Sequence, residues 1–235
     1  MKPDFSQFEQ ATGIVFKDKN LLREAFTHRS FLNESKEKGL THTERLEFLG
    51  DAVLELVATD YLFRKYPNET EGDLTAYRSG LVNANTLSDV ALKLCLGDFL
   101  LLSKGEAKDK GKARQYILAN TIEAVLGAIY LDQGYGVAEQ FIAKNVLPLI
   151  DEIVEKGLWQ DAKSSFQEKA QDVYGITPNY KVQEEIGPDH DKQFRVGVYL
   201  AHEMIAEGLG RSKQEAEQAA AKKGLLEYSW KKRKK

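Results

Sequence analysis

Glu44-Arg45-Leu46-Glu47-Phe48-Leu49-Gly50-Asp51-Ala52-Val53-Leu54-Glu55-Leu56 is the stretch on which the reading of this chain turns. At about 100° per residue, Glu44, Glu47 and Asp51 fall on one stripe of a helix and Glu55 extends it. Leu46, Leu49, Val53, Leu56 and Val57 fall on the opposite side, the division expected of a helix that buries its leucines at the edge of a fold. Like charges at this spacing destabilise a helix by a few tenths of a kcal/mol per pair. A divalent cation among them removes that cost, because hard oxygen ligands suit magnesium. An ordinary solvated acidic face is the alternative, and spacing alone leaves both open. Gly50 costs roughly 1 kcal/mol in a helix interior relative to Ala. Close approach of another backbone, of a substrate phosphate, or tight helix packing would each account for it.

Working outward, residues 5–155 read as helices with short connections: 5–12, 20–27, 43–65, 73–82, 86–94, 114–131 and 137–155. Residues 103–112 lack apolar anchors and read as a charged loop. No strand pattern occurs in this half. The pattern changes near Gly157. A helix over 164–174 precedes Pro178, and residues 180–186 lead into turn chemistry at Gly187-Pro188-Asp189-His190. Phe194, Val196, Val198 and Leu200 alternate with more polar positions, the period of a half-buried strand, and residues 204–208 supply a third. Ser212-Lys213-Gln214-Glu215 is a capping box opening a last helix whose small face is Ala216, Ala219 and Ala220. The fold class expected is an all-α domain followed by a small α-β-β-β-α domain.

Composition sets looser bounds. The chain has 235 residues, 42% of them hydrophobic, enough for one large or two smaller cores. A single cysteine, Cys95, excludes an intrachain disulfide and reads as a buried, inert thiol. No apolar stretch opens the chain and none is long enough to span a bilayer, so a soluble, cytoplasmic protein is expected. The formal net charge is −3, which does not advertise a nucleic-acid binder. Residues 1–157 carry 19 basic and 24 acidic side chains; the rest carry 14 and 12, five of the 14 in the terminal Lys231-Lys232-Arg233-Lys234-Lys235. That run reads as a solvated end with non-specific phosphate contact as a further use.

The string Glu-Arg-Leu-Glu-Phe-Leu-Gly-Asp-Ala-Val-Leu-Glu-Leu at 44–56 closely resembles the signature of the ribonuclease III family, endonucleases that cut double-stranded RNA. Thr27-His28-Arg29-Ser30, Glu71-Gly72-Asp73 and Ile117-Leu118-Ala119-Asn120-Thr121-Ile122-Glu123-Ala124 are further matches, and Gly210 to Ala221 resembles the double-stranded-RNA-binding domain. The resemblance covers nearly the whole chain and implies a catalytic domain over 1–157, an RNA-binding domain over 158–231 and a basic tail over 232–235.

What the resemblance implies is magnesium, with manganese able to substitute, held by four positions on two helices: Glu47 and Asp51 on the first, Asn120 and Glu123 on the second. Asp51 and Glu123 stand at the reaction centre, and Glu44 and Glu71 near the cleavage site. Where many relatives carry Asp, Asn120 is a neutral amide. It still offers an oxygen but no charge, so a double-stranded-RNA-binding protein with impaired cleavage is the rival reading. Phe48, about 40° from Glu44, is odd for a surface and reads as a knob for a partner subunit of a homodimer. Each subunit of such a dimer cuts one strand of duplex or hairpin RNA, leaving 5′-phosphates and short 3′ overhangs in structured precursors of ribosomal RNA and mRNA. Gln167, His190 and Lys213 are the candidate duplex contacts, made across grooves to 2′-hydroxyls and phosphates. Lys213 stands at a helix N-terminus, where the dipole favours an anion. Gln214 stands where relatives often carry a second lysine, and Glu217 where some carry another. His190-Asp191 as a metal dipeptide, a zinc site and a Gly-rich nucleotide loop lack the companion residues they need, and no organic cofactor is expected.

Overall fold

The computed structural model describes residues 3–230 apart from 38, 110, 158–161 and 189–191. The chain divides into two compact units, residues 1–159 and 160–235, each with its own apolar core.

In the first unit, α1 (Phe5–Thr12), α2 (Lys19–Ala25) and α3 (Arg29–Glu34) lead to the long α4 (Glu44–Lys65). Then come α5 (Glu71–Val82), α6 (Ala84–Lys93), a second long helix α7 (Lys112–Gln133), α8 (Tyr135–Asn145) and α9 (Ile150–Glu155). The core helix is α7. Ile122 and the six residues from Ala124 to Ile129 are all buried, so this stretch is covered all round. Its most extensive partner is α4, and the two meet through glycines. A Cβ built on Gly50 would lie 1.7 Å from the Glu123 carbonyl oxygen, and one on Gly127 would lie 2.2 Å from that of Leu46. Helix packing, then, is what requires Gly50.

That crossing rotates α4 a little from the expected division. The buried stripe runs Leu46, Gly50, Val53, Leu54, Val57, Ala58 and Leu62. Leu56 is not on it: it is 57% exposed, and with Phe48 (81%) and Phe63 (69%) it lines the outer face. The acids occupy the edge between the two.

Several connections depart from expectation for local reasons. The stretch 137–155 is two helices, because Pro148 sits in the 3₁₀ turn Leu147–Leu149 and cannot donate to a continuing ladder. Thr70 and Asp73 form a capping box that starts α5 at Glu71. The helix α3 was not expected; the His28 ring caps it, Nδ1 accepting from the Ser30 N–H at 3.3 Å. Residues 103–112 hold a short 3₁₀ turn, Glu106–Lys108. Cys95 is exposed, not buried: with φ 52° it turns the chain at the end of α6 so that Leu96 enters the core in its place.

The second unit is α10 (Ala162–Tyr174), β1 (Asn179–Ile186), β2 (Gln193–Leu200), β3 (Glu203–Gly210) and α11 (Lys213–Glu227), the α-β-β-β-α order expected. The strands form one antiparallel sheet in the order β1-β2-β3. Val196, Val198 and Leu200 face inward at the period of two. Small residues set the helix–sheet distance, since a Cβ on Gly208 would lie 2.4 Å from the Ala216 carbonyl oxygen. Ser212 caps α11 by accepting from the Glu215 N–H at 3.2 Å, while the Glu215 carboxylate accepts from the Arg211 N–H at 3.0 Å instead of from Ser212. Among the described residues no helix is long and apolar enough to cross a membrane.

The two glycines at the α4–α7 crossing make a sharp test. Overpacking typically costs 1–3 kcal/mol and more against backbone, whereas Gly to Ala returns about 1 kcal/mol of helix propensity. Gly50→Ala and Gly127→Ala should each therefore lower unfolding free energy by about 2 kcal/mol or more in urea titrations. Gly136→Ala, which has no atom within 4 Å of its added carbon, should leave stability unchanged or raise it by up to about 1 kcal/mol.

Candidate active site

The α4–α7 crossing fixes four side chains. Glu47 and Asp51 lie three before and one after Gly50, while Glu123 belongs to the residue whose carbonyl meets Gly50, and Asn120 precedes it by one turn. The groups sense one another. The Asn120 amide favours the ionised form of Glu47. Glu47 is half-buried, and burial first, then the neighbouring carboxylate of Glu44, pushes its pKa up; the Asn120 amide pulls against them, and Asp51 adds to the rise. Glu123 is pushed up to about 8, chiefly by burial and then by the charges of Asp51, Glu47 and Glu55. Carboxylates that hold one another above their ordinary range are arranged as a cation would want them.

The remaining candidates are placed less centrally. Glu44 is exposed, its carboxylate 3.4 Å from Arg29, and acts on the site through Glu47. Glu71 is exposed at the first turn of α5, and neither Glu47 nor Glu123 is shifted by it. Glu55, part of the acidic stripe, pairs with Arg78 at 2.8 Å. Among the described residues no three acidic, histidine or cysteine side chains are grouped so that they alone could hold a metal ion. The donor set of three carboxylates and an amide oxygen nonetheless fits a hard divalent cation, and such an ion would favour the ionised form of the raised Glu123.

Beside these groups opens a cleft of about 440 Å³ lined by Glu44, Glu47, Asn120, His28, Arg29 and Tyr116. The last three were not among the expected site residues, although His28 and Arg29 lie in one of the matched strings. The His28 Nδ1 takes the Ser30 N–H and lies 2.8 Å from the Ser30 hydroxyl, which itself accepts from the Ser103 N–H at 3.1 Å. With Nδ1 an acceptor, the assigned tautomer carries its proton on Nε2, and burial holds the ring below its ordinary pKa, against the pull of Glu106. His28 is thus a neutral donor. A larger cavity, about 520 Å³ between Tyr174, Ile176, Leu200 and Tyr228, belongs to the second unit and is lined mainly by apolar side chains.

On the second unit Gln167 is exposed, one residue after the buried Phe166 of α10. Lys213 is the first residue of α11, its Nζ 3.9 Å from Glu185 and 5.6 Å above the Phe194 ring. His190 and its neighbours 189 and 191 lie outside the described residues.

The raised Glu123 has a consequence for the metal-free protein. Its folded pKa, about 8, exceeds the ordinary 4.5, so between these values the unfolded chain releases a proton that the fold retains. Stability from this group is whole below about 4.5 and is lost as pH rises through about 8. Glu123→Gln should flatten that decline in melts run with chelator. Parallel pH slopes for the two proteins would contradict the account.

Residues 18–150 match the Ribonuclease-III-like family and residues 162–228 the double-stranded RNA binding motif. A protein named Ribonuclease 3 from Pelotomaculum thermopropionicum is 46% identical over 214 residues, 91% of this chain and 89% of that one. Another of that name, from Borreliella afzelii, is 43% identical over 224 residues, 95% and 91% of the two chains. A solved nuclease domain of ribonuclease III from Campylobacter jejuni, described as having a flexible region involved in dimer formation, is 44% identical with TM-score 0.55, covering 62% of this chain and 99% of that one. The chain belongs to the ribonuclease III family of endoribonucleases, with the double-stranded RNA binding motif following the nuclease domain.

Proposed function

We propose that the protein is a magnesium-dependent endoribonuclease that cuts double-stranded RNA as a homodimer. The observation that carries this reading is the α4–α7 crossing, which holds Glu47, Asp51, Asn120 and Glu123 close enough that Glu123 is pushed up to about 8 by burial and its neighbours. Magnesium, or manganese in its place, would be held by these four side chains and would supply charge stabilisation at phosphate and an acidified water.

The chain's own residues have the other tasks. Glu44 and Glu71 flank the scissile phosphate on this reading, and Asn120 steadies Glu47 through its amide. Gln167, His190 and Lys213 contact the duplex, reading A-form shape more than sequence. The exposed row Phe48, Leu56 and Phe63 on one face of α4 is the surface for the second subunit. With one site per strand, water adds at phosphorus and the 3′ oxygen leaves, giving 5′-phosphates and short 3′ overhangs. Structured precursors of ribosomal RNA, mRNA and tRNA in the cytoplasm are the proposed substrates.

Asn120 favours one rival, a duplex-binding protein that does not cut, because one negative charge is missing from the ligand set. Perfect duplex RNA incubated with magnesium separates the two: short products support the enzyme, binding without products the rival. Asp51→Asn and Glu123→Gln should each lower cleavage by about 100-fold or more, since removing even an outer group of a metal site costs about 10–100-fold, with duplex binding unchanged. Asn120→Asp should reduce the magnesium needed for half-maximal rate; loss of cleavage would overturn the role given to that position. Phe48→Ala should shift the sedimenting species toward monomer at micromolar protein.

A further inference from the structure

The acidic row of α4 is treated unequally along its length. At its start Glu44 meets Arg29 at 3.4 Å, and at its end Glu55 meets Arg78 at 2.8 Å. Among the described residues, neither Glu47, Asp51 nor Glu123 meets a basic side chain within 4 Å. The two end pairs also differ. The Arg29 and Glu44 side chains are 73% and 51% exposed, those of Arg78 and Glu55 only 34% and 37%. Arg78 reaches from α5 to α4 with two contacts, Nε to the Glu55 carboxylate and Nη1 donating to the Thr59 hydroxyl at 2.9 Å. Glu55 and Thr59 are one turn apart, so the planar guanidinium spans that turn and gives Glu55 a fixed partner.

Glu55 is not remote from the candidate site. It follows Asp51 by one turn, and its charge is among those that push Glu123 up. Side chains at this spacing stand about 5–6 Å apart at Cβ, within the reach of two carboxylates that share an ion. What Glu55 does therefore bears on which ion suits the edge. Magnesium is small, demands near-octahedral geometry and keeps several waters beside few carboxylates, whereas calcium takes about six to eight oxygens in a flexible shell. A further carboxylate entering here displaces water and favours the larger ion.

We propose that Arg78 is a positioning residue that keeps the Glu55 carboxylate out of the shell of the ion that Glu47, Asp51, Asn120 and Glu123 would hold, and so favours magnesium over calcium there. The inference rests on the metal-dependent reading given above. Its test is displacement of manganese by magnesium or calcium from the full chain without RNA, with free manganese read by electron paramagnetic resonance. In Arg78→Gln, calcium should bind about 10-fold more tightly, the low end of the range over which outer groups of a metal site change affinity, and magnesium should gain less. The double variant carrying Glu55→Gln and Arg78→Gln removes the intruding carboxylate, and its calcium affinity should return to the parent's. Arg78→Lys keeps a cation against Glu55, and Thr59→Ala cuts only the second contact, so both should match the parent; melts in chelator check each fold. A mere brace between α4 and α5 instead lowers the melting midpoints of Thr59→Ala and Arg78→Gln together with no gain in ion affinity. Unchanged or weaker calcium binding by folded Arg78→Gln overturns the proposal. Equal gains for both ions, the mark of net charge alone, also overturn it. Glu55→Gln decides without any change at Arg78: the ratio of calcium to magnesium affinity should stay at the parent's, and a fall in that ratio places Glu55 in the shell already and overturns the proposal. A parent protein that takes up no manganese removes the metal-dependent reading itself, and this inference with it.

Discussion

Backbone contact between α4 and α7 at Gly50 and Gly127 is the constraint on which the first unit depends. Side chains between two helices normally set their separation at 8–10 Å. Where both helices present glycine, the backbones come together, and Glu123 contributes its carbonyl to the contact while its side chain stands at the acidic edge. The packing requirement and the chemistry are thus written into the same few residues. A rotation of α4 large enough to relieve the carboxylates would break the glycine contact, and a looser contact would let them drift apart. Rigidity of this kind is what a metal site needs, since ligands must be positioned before the ion arrives.

Electrostatics then decides how much charge such an arrangement can tolerate. Burial and three neighbouring acids raise Glu123, and two acids and burial raise Glu47. A fourth carboxylate at position 120 would add another repulsion within the same small space. The amide there does the opposite, lowering Glu47. Its effect has two sides: the metal-free fold is easier to form, and the attraction for a cation is weaker by one charge. Because like charges destabilise only while unscreened by an ion, the balance between these effects would shift with the divalent cation available.

How much of this could be read beforehand follows from which interactions are local. The helices α4 and α7, the three strands and α11 carry strong periodicities, and a helix places i and i+3 on one face whatever surrounds it. Hence the acidic edge of α4 was legible. The other features were set by contacts distant in sequence. Leu56 was assigned to the core side because apolar residues are usually inside, but the glycine crossing, not hydrophobicity alone, sets the rotation of α4. Cys95 lies in an apolar run, yet the left-handed turn it makes sends Leu96 inward and leaves the thiol outside. Tyr116 stands one turn before Asn120 on α7, but His28 and Arg29 reach the cleft beside Glu47 and Asn120 because the segment Phe26–His28 is tied to Leu101, with the Leu101 N–H donating to Phe26 at 2.8 Å and the His28 N–H to Leu101 at 3.0 Å. No spacing rule joins positions that far apart.

The two units use charge in opposite ways. In the first, carboxylates are partly buried, water screens them poorly, and small displacements change their energies greatly. In the second, Lys163, Lys192, Lys213 and Lys223 each stand within 4 Å of a carboxylate at the surface, where a pair is worth about 1 kcal/mol or less and is weakened by salt. A phosphate can displace such a partner at little cost, whereas the crowding of Glu47, Asp51 and Glu123 is relieved by the proton that Glu123 keeps up to about 8 or by a cation among them. Recognition of a long polyanion through many weak, exchangeable contacts tolerates varied sequence, while hydrolysis demands one fixed geometry. That difference explains how an acidic protein serves a nucleic acid: net charge is set by solvated surface at large, but affinity and reaction are set by where a few charges sit and how deeply.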